Sequence, residues 1–575
     1  MKLSRFLFSL LYKIFLASFI LLVAGCSVLV ETNSSPAAQP NIKEDAITFV
    51  EESATPFLPL PTATVTPTPT KPPEITVWLP DWIPSGIPST IRLAEPFVLT
   101  KSEEQADIQL VIREDIAAED ADFSWVYALV APFPTIMDGI SVDELQQIWR
   151  GAGGFPQRIL LDESTYGVFS QVWGEPNTLK IRVANKNELL ETAWAEKLTW
   201  AIIPFEEIVP RWKVLRIGGL SPFDRGLDLS TYPLTVRFSW EGVTPTGQAA
   251  LTDLRNAELI ATNRDENKLT RLLLTGVTAL VRSTAERMET MGIDYPIGDI
   301  LPWLLDADFT HISNEVSFND HCPSPIPVRL GTRFCSAPKY IELLDLIDVE
   351  IVELTGNHLV DYGREALLKT LELYRERDIL TYGGGENLNA SLQPLIIEHN
   401  GNSIALVGCN RAGPANDWAT EDQPGSAPCD LDLMTTQIQN LLDEGILPIV
   451  TFQHYELDNT MPSRQAQQEM QQMAEAGAVI VSGSQAHYPH GFAFFGSSFV
   501  HYGLGNLFFD QMYTYNRREF LDRHIFYDGR YLGVEILTAE LEDYARPRPM
   551  TEAERARMLT TYFEVSGWKI NDQER

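Results

Sequence analysis

The chain has 575 residues, and 44% of them are hydrophobic, which is enough for more than one folded domain with a buried core. Its 44 Lys and Arg residues face 78 Asp and Glu residues, so the formal net charge is −34 at pH 7. That charge excludes general binding of nucleic acid, or of an anionic membrane surface, through a basic patch.

The first 26 residues have the pattern of a secretory signal. Basic residues precede an apolar stretch at 14–25, which ends in Ala24-Gly25 directly before Cys26. This ending resembles a bacterial lipobox, in which the Cys is lipidated and becomes the mature N-terminus. We therefore expect residues 1–26 to be a lipoprotein signal peptide that leaves the protein outside the cytoplasm, lipid-anchored to a bacterial cell membrane. The alternative is an uncleaved anchor at residues 6–25, near the roughly 20 residues that a membrane span needs.

A spacer and a first α/β region follow the signal. Residues 27–73 become dense in Pro and Thr, a composition that favours an extended linker and cannot bury a core. Residues 74–250 alternate short apolar runs with helical patterns, which predicts a small α/β domain. The predicted strands are at residues 74–79, 108–112 and 125–131.

One helix of this region has clear signals at both ends. Ser141 and Glu144 form a capping box at its start, and Gly151 follows its last turn. Together with the apolar run at 126–132, this helix resembles the hinge region of phosphate-type periplasmic solute-binding proteins. The resemblance implies a periplasmic-binding-protein-like domain that is either a ligand receptor or a structural lobe. A helical connector is expected at residues 249–263.

Residues 256–543 predict a second, larger α/β domain, in which apolar runs stop at Gly, Gln, Asn or His. A helical pattern at 463–476, with Ser463 as its N-cap, separates two of these runs. Open α/β sheets bind ligands at the carboxyl ends of their strands, and all nine His of the chain lie between His311 and His524. The strand ends are therefore the predicted functional site. The runs are at residues 350–354, 447–452, 478–482 and 499–502.

Three motifs at these ends resemble those of a known family. The motifs are Thr355-Gly356-Asn357-His358 with Asp361-Tyr362-Gly363, Gly483-Ser484-Gln485-Ala486-His487, and Tyr502-Gly503-Leu504-Gly505-Asn506. In this order they resemble the CapA family of bacterial poly-γ-glutamate capsule synthesis proteins, over roughly residues 269–510. The resemblance implies a metallophosphoesterase-like α/β sandwich, a metal site at the strand ends, and a partner in an envelope polymer or the capsule machinery.

The resemblance also implies roles for individual residues. His358 would be the catalytic acid that protonates a leaving group. Glu315, Asn357, His454 and His487 would be the metal ligands.

Several positions depart from the family pattern. Val277 stands where the family has its first acidic ligand, and Gln485 stands where it has the first His of a late pair. A two-metal site is therefore incomplete, and the expected cofactor is one divalent ion, Mn, Zn or Fe. Asp361 is expected to orient the Gly-Asn-His turn, and Asn506 to tie its loop by hydrogen bonds.

Four cysteines remain besides Cys26. An even number outside the cytoplasm suits disulfides, and Cys322, Cys335, Cys409 and Cys429 allow three pairings. Pairing Cys322 with Cys335, and Cys409 with Cys429, would close two short loops. Because there is no Cys-x-x-Cys pair, zinc binding by these residues is not expected.

Two hypotheses for the function follow. In the first, an exported, lipid-anchored CapA-like protein serves capsule or cell-envelope polymer synthesis or export, with metal-dependent hydrolysis at an incomplete site. In the second, it is a non-catalytic surface protein that binds a partner or acts as a scaffold. Residues 544–575, rich in Arg and Glu, predict a C-terminal tail with a peripheral helix.

Overall fold

The computed structural model describes residues 73–570, apart from residues 92, 118–119, 197, 256–260, 327–332 and 456. Cys26 and the rest of the signal and spacer lie outside the described residues, so the lipid anchor and the linker stay predictions. Within the described ranges, no helix is both long and apolar enough to cross a membrane.

The first domain is built on one mixed sheet. Its order is β2-β1-β3-β10-β4-β8-β6-β7, and β9 pairs with both β4 and β5. The strands are β1 (Ile75–Trp78), β2 (Phe97–Thr100), β3 (Ile108–Ile112), β4 (Phe123–Pro132), β5 (Gly139–Ile140), β6 (Arg158–Leu161), β7 (Ile181–Val183), β8 (Thr199–Pro204), β9 (Trp212–Ile217) and β10 (Thr235–Gly242). The helices are α1 (Gly86–Thr90), α2 (Val142–Arg150), α3 (Glu163–Trp173), α4 (Leu189–Ala195) and α5 (Pro245–Arg255).

Local sequence signals account well for this domain. The apolar strand β4 is almost wholly buried because it lies in the middle of the sheet, between β10 and β8. The capping box of Ser141 and Glu144 is present at the start of α2, and Gly151 ends that helix in the left-handed region at φ 70°. Both predictions for this helix are confirmed.

The predicted helical connector at 249–263 is only partly correct. Helix α5 ends at Arg255, and its buried Ala250 and Leu254 belong to the core of the first domain. Farther on, the Asn263 side chain accepts a hydrogen bond from the backbone N–H of Val126 at 2.8 Å and donates one to its carbonyl at 2.9 Å. The last residues of the connector are therefore held against strand β4 and are not helical.

The second domain contains two larger sheets. One has the order β15-β14-β13-β11-β25-β26-β27, with β12 joining β13 to β24, and the other has the order β17-β18-β20-β21-β23-β22. The strands are β11 (Leu269–Leu274), β12 (Val277–Thr278), β13 (Phe309–Asn314), β14 (Ile351–Glu353), β15 (Leu380–Tyr382), β16 (Gly384–Gly385), β17 (Leu395–His399), β18 (Asn402–Asn410), β19 (Gly425–Ser426), β20 (Leu447–Gln453), β21 (Ile480–Ser482), β22 (Phe492–Phe495), β23 (Ser498–His501), β24 (Asn506–Phe508), β25 (Arg518–Tyr527), β26 (Arg530–Glu542) and β27 (Arg546–Pro549).

Helices also form part of this domain. They are α6 (Arg282–Met291), α7 (Leu301–Leu305), α8 (Glu342–Leu346), α9 (Arg364–Arg375), α10 (Leu388–Ser391), α11 (Leu431–Asp443), α12 (Arg464–Ala476) and α13 (Glu552–Val565). As predicted, Ser463 caps α12 and Gly477 ends it. Leu272 and Ile351 of one sheet share a buried cluster with Leu406 and Ile449 of the other, so the sheets pack face to face. The result is the expected α/β sandwich.

The two domains share a core. Leu269 and Tyr527 of the second domain belong to the buried cluster of the first domain, while Phe133, directly after β4, lies within the core of the sandwich. The ring centroid of Phe133 is 5.2–5.9 Å from those of Phe492, Phe494, Phe499, Phe563 and Trp568. The two domains are therefore packed as one body, although the sequence divides near residue 250.

The predicted peripheral tail is wrong in its placement. A helix is present, α13, but its Met558, Leu559, Tyr562 and Phe563 are buried in the core of the sandwich. Strand β27 also pairs with β26 before this helix begins. The tail packs against the sandwich because its apolar residues, which are interspersed with Arg and Glu in the sequence, form one stripe.

Two disulfides close short loops in the second domain. Cys322 is bonded to Cys335, and Cys409 is bonded to Cys429. The second bond joins the buried end of β18 to the residues before α11. Of the three pairings that the sequence allows, the structure has the one with the shortest loops.

Candidate functional site

Polar residues from several strands meet at one edge of the sandwich. Gln485 donates to the Ser313 hydroxyl at 2.7 Å, which joins the end of β21 to β13 across the two sheets. Val316 and His358 form an isolated parallel bridge, so the segments after β13 and β14 run side by side. A Cβ atom on Gly356 would lie 2.6 Å from Glu315 Cα, so glycine permits this close approach.

Glu315 and His487 face each other at this edge. Glu315 is 1% exposed, and its Oε1 is 3.5 Å from His487 Nε2. His487 Nδ1 is 2.7 Å from Asn506 Oδ1, and because an amide oxygen only accepts, Nδ1 carries the proton. The other nitrogen, Nε2, therefore has the lone pair in the neutral ring. The ring also stacks on Phe509 at 5.0 Å, which fixes its plane.

Two buried oxygens of the predicted metal ligands have no hydrogen-bond partner among the described residues. They are Glu315 Oε2 and Asn357 Oδ1. Buried polar atoms in folded proteins are nearly always paired, so these two oxygens are candidates to contact a water, an ion or a ligand. A carboxylate oxygen, an amide oxygen and an imidazole nitrogen form a donor set that suits a divalent cation.

His454 does not belong to this set. Its Nδ1 accepts from the backbone N–H of Tyr455 at 2.9 Å, and its Nε2 lies 3.2 Å from Glu469 Oε2. Glu469 in turn binds the Arg411 guanidinium at 2.8–3.1 Å. Both ring nitrogens of His454 thus have partners within the protein, so the donor set above omits it, and its ligand role stays a prediction. The fully buried end of β20 is Gln453, whose side-chain O and N have no partner in the described part of the chain.

An apolar residue stands at the position of the first acidic ligand in the family pattern. Val277 is fully buried in a small apolar cluster with Val281, Val316 and Phe509. Within the ranges that the structure describes, no group of three or more His, Cys, Asp or Glu side chains is placed to hold a metal ion.

His358 is held in place by Asp361. Its Nδ1 is 2.8 Å from Asp361 Oδ2, and Asp361 also accepts from the backbone N–H of Phe334 at 2.7 Å. Burial alone would lower the pKa of His358, but the Asp361 hydrogen bond and the charges of Glu315, Asp361 and Asp417 outweigh it, so this pKa is raised. Asp361 thus orients His358 and favours its protonated form.

Asp417 is a second titratable group near His358. It is 1% exposed, and its Oδ2 has no partner among the described residues. Burial and the nearby charge of Asp361 raise the pKa of Asp417 to about 7. The sequence offered no signal for this residue, because it lies in a loop far from the motifs.

Below these groups, Glu353 ties the strand ends together. Its carboxylate accepts from the hydroxyls of Ser313 at 2.9 Å, Thr355 at 2.7 Å and Ser484. The residue is fully buried, and burial raises its pKa despite these hydrogen bonds. The sequence signal that could have identified it is a carboxylate near the end of the apolar run at 350–354.

Comparison with known proteins agrees with this architecture. Residues 271–511 match the family described as "Bacterial capsule synthesis protein PGA_cap". These residues form a CapA-family domain. The chain is 26% identical to "Capsule biosynthesis protein CapA" of Bacillus anthracis over 320 residues, 53% of this chain and 75% of that protein. It is 23% identical to "PGA biosynthesis protein CapA" of Bacillus subtilis over 240 residues, 40% of this chain and 62% of that protein.

Solved structures give only weak similarities. A phosphatase from Mycoplasma pneumoniae is 11% identical with a TM-score of 0.30, covering 47% of this chain and 93% of its own. An ABC-type phosphate transport receptor from Vibrio cholerae is 13% identical with a TM-score of 0.26, covering 32% of this chain and 94% of its own. The CapA-family assignment therefore rests on the sequence matches.

Proposed function

We propose that the protein acts in the synthesis or export of a capsular or cell-envelope polymer of the poly-γ-glutamate type, as an exported, lipid-anchored CapA-family protein. In this proposal the CapA-family domain holds one divalent ion and hydrolyses an ester or amide bond in the polymer or its precursor. Two observations carry it: Glu315 Oε2 and Asn357 Oδ1 are buried without a partner among the described residues, and Glu315 Oε1 lies 3.5 Å from the Nε2 of His487.

Each residue of the site has a role in this reaction. Glu315, Asn357 and His487 would hold the ion, which supplies Lewis-acid polarisation of a phosphoryl or acyl oxygen. His358 would donate the proton to the leaving group, since Asp361 and the surrounding carboxylates favour its charged form. Asn506 fixes the His487 ring in the tautomer whose Nε2 carries the lone pair in the neutral ring.

Charge around the site limits how a polyanion could reach it. Between residues 430 and 510 the chain carries nine acidic residues and a single basic one, Arg464. An anionic polymer would be repelled from this face unless a bound cation lowers the local charge. The proposal therefore links polymer binding to the presence of the ion.

A second candidate is a non-catalytic surface protein whose CapA-family domain is a scaffold. The buried Val277 and the absence of a three-residue His, Cys, Asp or Glu group in the described chain favour it. In this case the orphaned oxygens at Glu315 and Asn357 would bind water alone.

Metal analysis separates the two candidates. The mature chain, produced in an oxidising compartment so that its disulfides form, is dialysed against manganese or zinc and analysed for bound metal. We expect about one ion per chain, its loss in His487→Ala, and its retention in the matched strand-end control His454→Ala. His358→Ala should keep the ion and lose hydrolysis. No bound metal, or equal metal in His487→Ala and the wild type, refutes the metal site and leaves the scaffold function.

A further inference from the structure

A cavity of about 310 Å³ lies between the two domains, away from the candidate metal site. Strand β9 and nearby residues of the first domain form one wall, while strand β26 and helix α13 of the second form the other. Small-molecule sites usually have volumes of roughly 300–1,000 Å³ and occur preferentially at domain interfaces. We call this space the interdomain cavity.

Much of the cavity wall is apolar. Val214 and Phe223 come from the first domain, and Ile536 comes from the middle of β26. The aromatic residues Phe133, Trp303 and Phe563 also line it. Such a surface favours a ligand with an apolar body, because its burial removes apolar area from water.

Among the charged side chains that line the cavity, cations outnumber carboxylates. Four cationic side chains line the cavity, whereas only two carboxylates do, in a chain whose net charge is −34. The cations are Lys213, Arg216, Arg523 and Arg555, and the carboxylates are Asp138 and Glu535. Behind the lining, Asp224 binds Arg216 at 2.6 Å and Asp306 lies 3.2 Å from Arg523. The wall is therefore close to neutral and, unlike the acidic chain as a whole, does not repel an anion.

The two carboxylates divide these cations into two groups. Asp138 binds Lys213 at 2.7 Å and Arg555 at 2.6–2.8 Å, so this group is closely compensated. Glu535 is shared between Arg216 at 3.5 Å and Arg523 at 3.2 Å. Arg216 also binds Asp224 at 2.6 Å, so it is closely compensated as well, and the remaining cation of this group is Arg523.

Arg523 has an unused donor. The residue is 8% exposed, and its Nε has no hydrogen-bond partner among the described residues. Its other contacts are with Glu535 and Asp306, each at 3.2 Å, and with the carbonyl of Trp303. A buried guanidinium N–H without an acceptor is costly, and an anionic ligand oxygen would satisfy it.

We propose that the interdomain cavity binds a small amphiphilic anion, with an apolar body against Val214, Ile536 and the aromatic side chains and an anionic group beside Arg523. Such a ligand contacts both domains at once, so it would strengthen their packing. The proposal does not depend on the metal site, because none of the residues that it uses belongs to that site.

The probe for this site is 4-phenylbutyrate, and 4-phenylbutan-1-ol is its neutral counterpart. Isothermal calorimetry on the full mature chain should give saturable binding of the anion, at least about tenfold tighter than the alcohol, a difference expected for a charge-assisted contact. Val214→Trp, which fills the cavity, should abolish binding of both. Arg523→Gln should abolish the preference for the anion and keep binding of the alcohol.

A matched control guards against general misfolding. Val183→Trp places the same bulk on the exposed strand β7 of the same domain, where Val183 is 40% exposed, and it should bind the anion like the wild type. Near-ultraviolet circular dichroism checks that each variant is folded. No saturable binding in the wild type, equal affinity for anion and alcohol, or undiminished binding in a folded Val214→Trp overturns the proposal.

Discussion

Phe133 offers the sharpest test of how the two domains are joined. The residue follows a strand of the first domain, yet it is 2% exposed within the core of the second. Replacing a core Phe by Ala costs about 3–5 kcal/mol, from lost burial and from the cavity that remains. Aromatic pairs add about 0.5–1.5 kcal/mol each, but contacts of one ring are not additive. We therefore expect Phe133→Ala to lower the free energy of unfolding by about 4 kcal/mol.

Urea unfolding, followed by tryptophan fluorescence, measures this loss. The control is Leu179→Ala in the same domain, where Leu179 is 83% exposed and the change should stay within about 0.5 kcal/mol. The wild type should unfold in one transition because the domains share buried clusters. A loss below about 1 kcal/mol in Phe133→Ala would refute the shared core.

Two further predictions concern titration. Asp361→Asn should lower the pKa of His358, which NMR titration measures. Because this pKa is raised in the folded protein, protonation of His358 stabilises the fold below about pH 6.5. That stabilisation is lost as the pH rises through the folded pKa. The variant should therefore lose more stability at about pH 5.5 than at about pH 8, and equal losses would contradict the role of Asp361. Burial lowers the pKa of His524 to about 4, so the unfolded state protonates first and stability falls by up to about 3 kcal/mol between about pH 6.5 and pH 4. His524→Gln should flatten this fall in urea midpoints, whereas an unchanged slope would show that other groups cause it.

Local chemistry explains which parts of the fold the sequence could predict. The capping box at Ser141 and the cap at Ser463 depend only on neighbouring residues, and both helices begin where these signals place them. The strand at residues 108–112 is also observed with its predicted bounds. Short-range patterns of this kind do not say which elements pack together. The core position of α13 depends on contacts with strands far along the chain, so it was missed.

The candidate site divides in the same way. The Gly-Asn-His turn and the Asp361 contact follow from a contiguous motif, and the structure has both. The ligand role of His454 stays a prediction; strand β20 ends at Gln453, and the His454 ring lies 3.2 Å from Glu469. Glu469 lies on α12, and no spacing in the sequence predicts that pairing. Asp417 was missed for a similar reason, since only the fold brings it near His358.

The shared core of the two domains affects the order in which the chain can fold during synthesis. Strand β11 takes its antiparallel neighbour from β25, and the first domain completes its buried cluster with Ile525, Tyr527 and Leu532. A ribosome adds about 5–20 residues per second, so the early strands remain without these partners for many seconds. During that time the nascent protein exposes an unpaired strand edge, which is a target for aggregation and proteolysis. We therefore expect chaperone dependence to end only when the last strands have emerged.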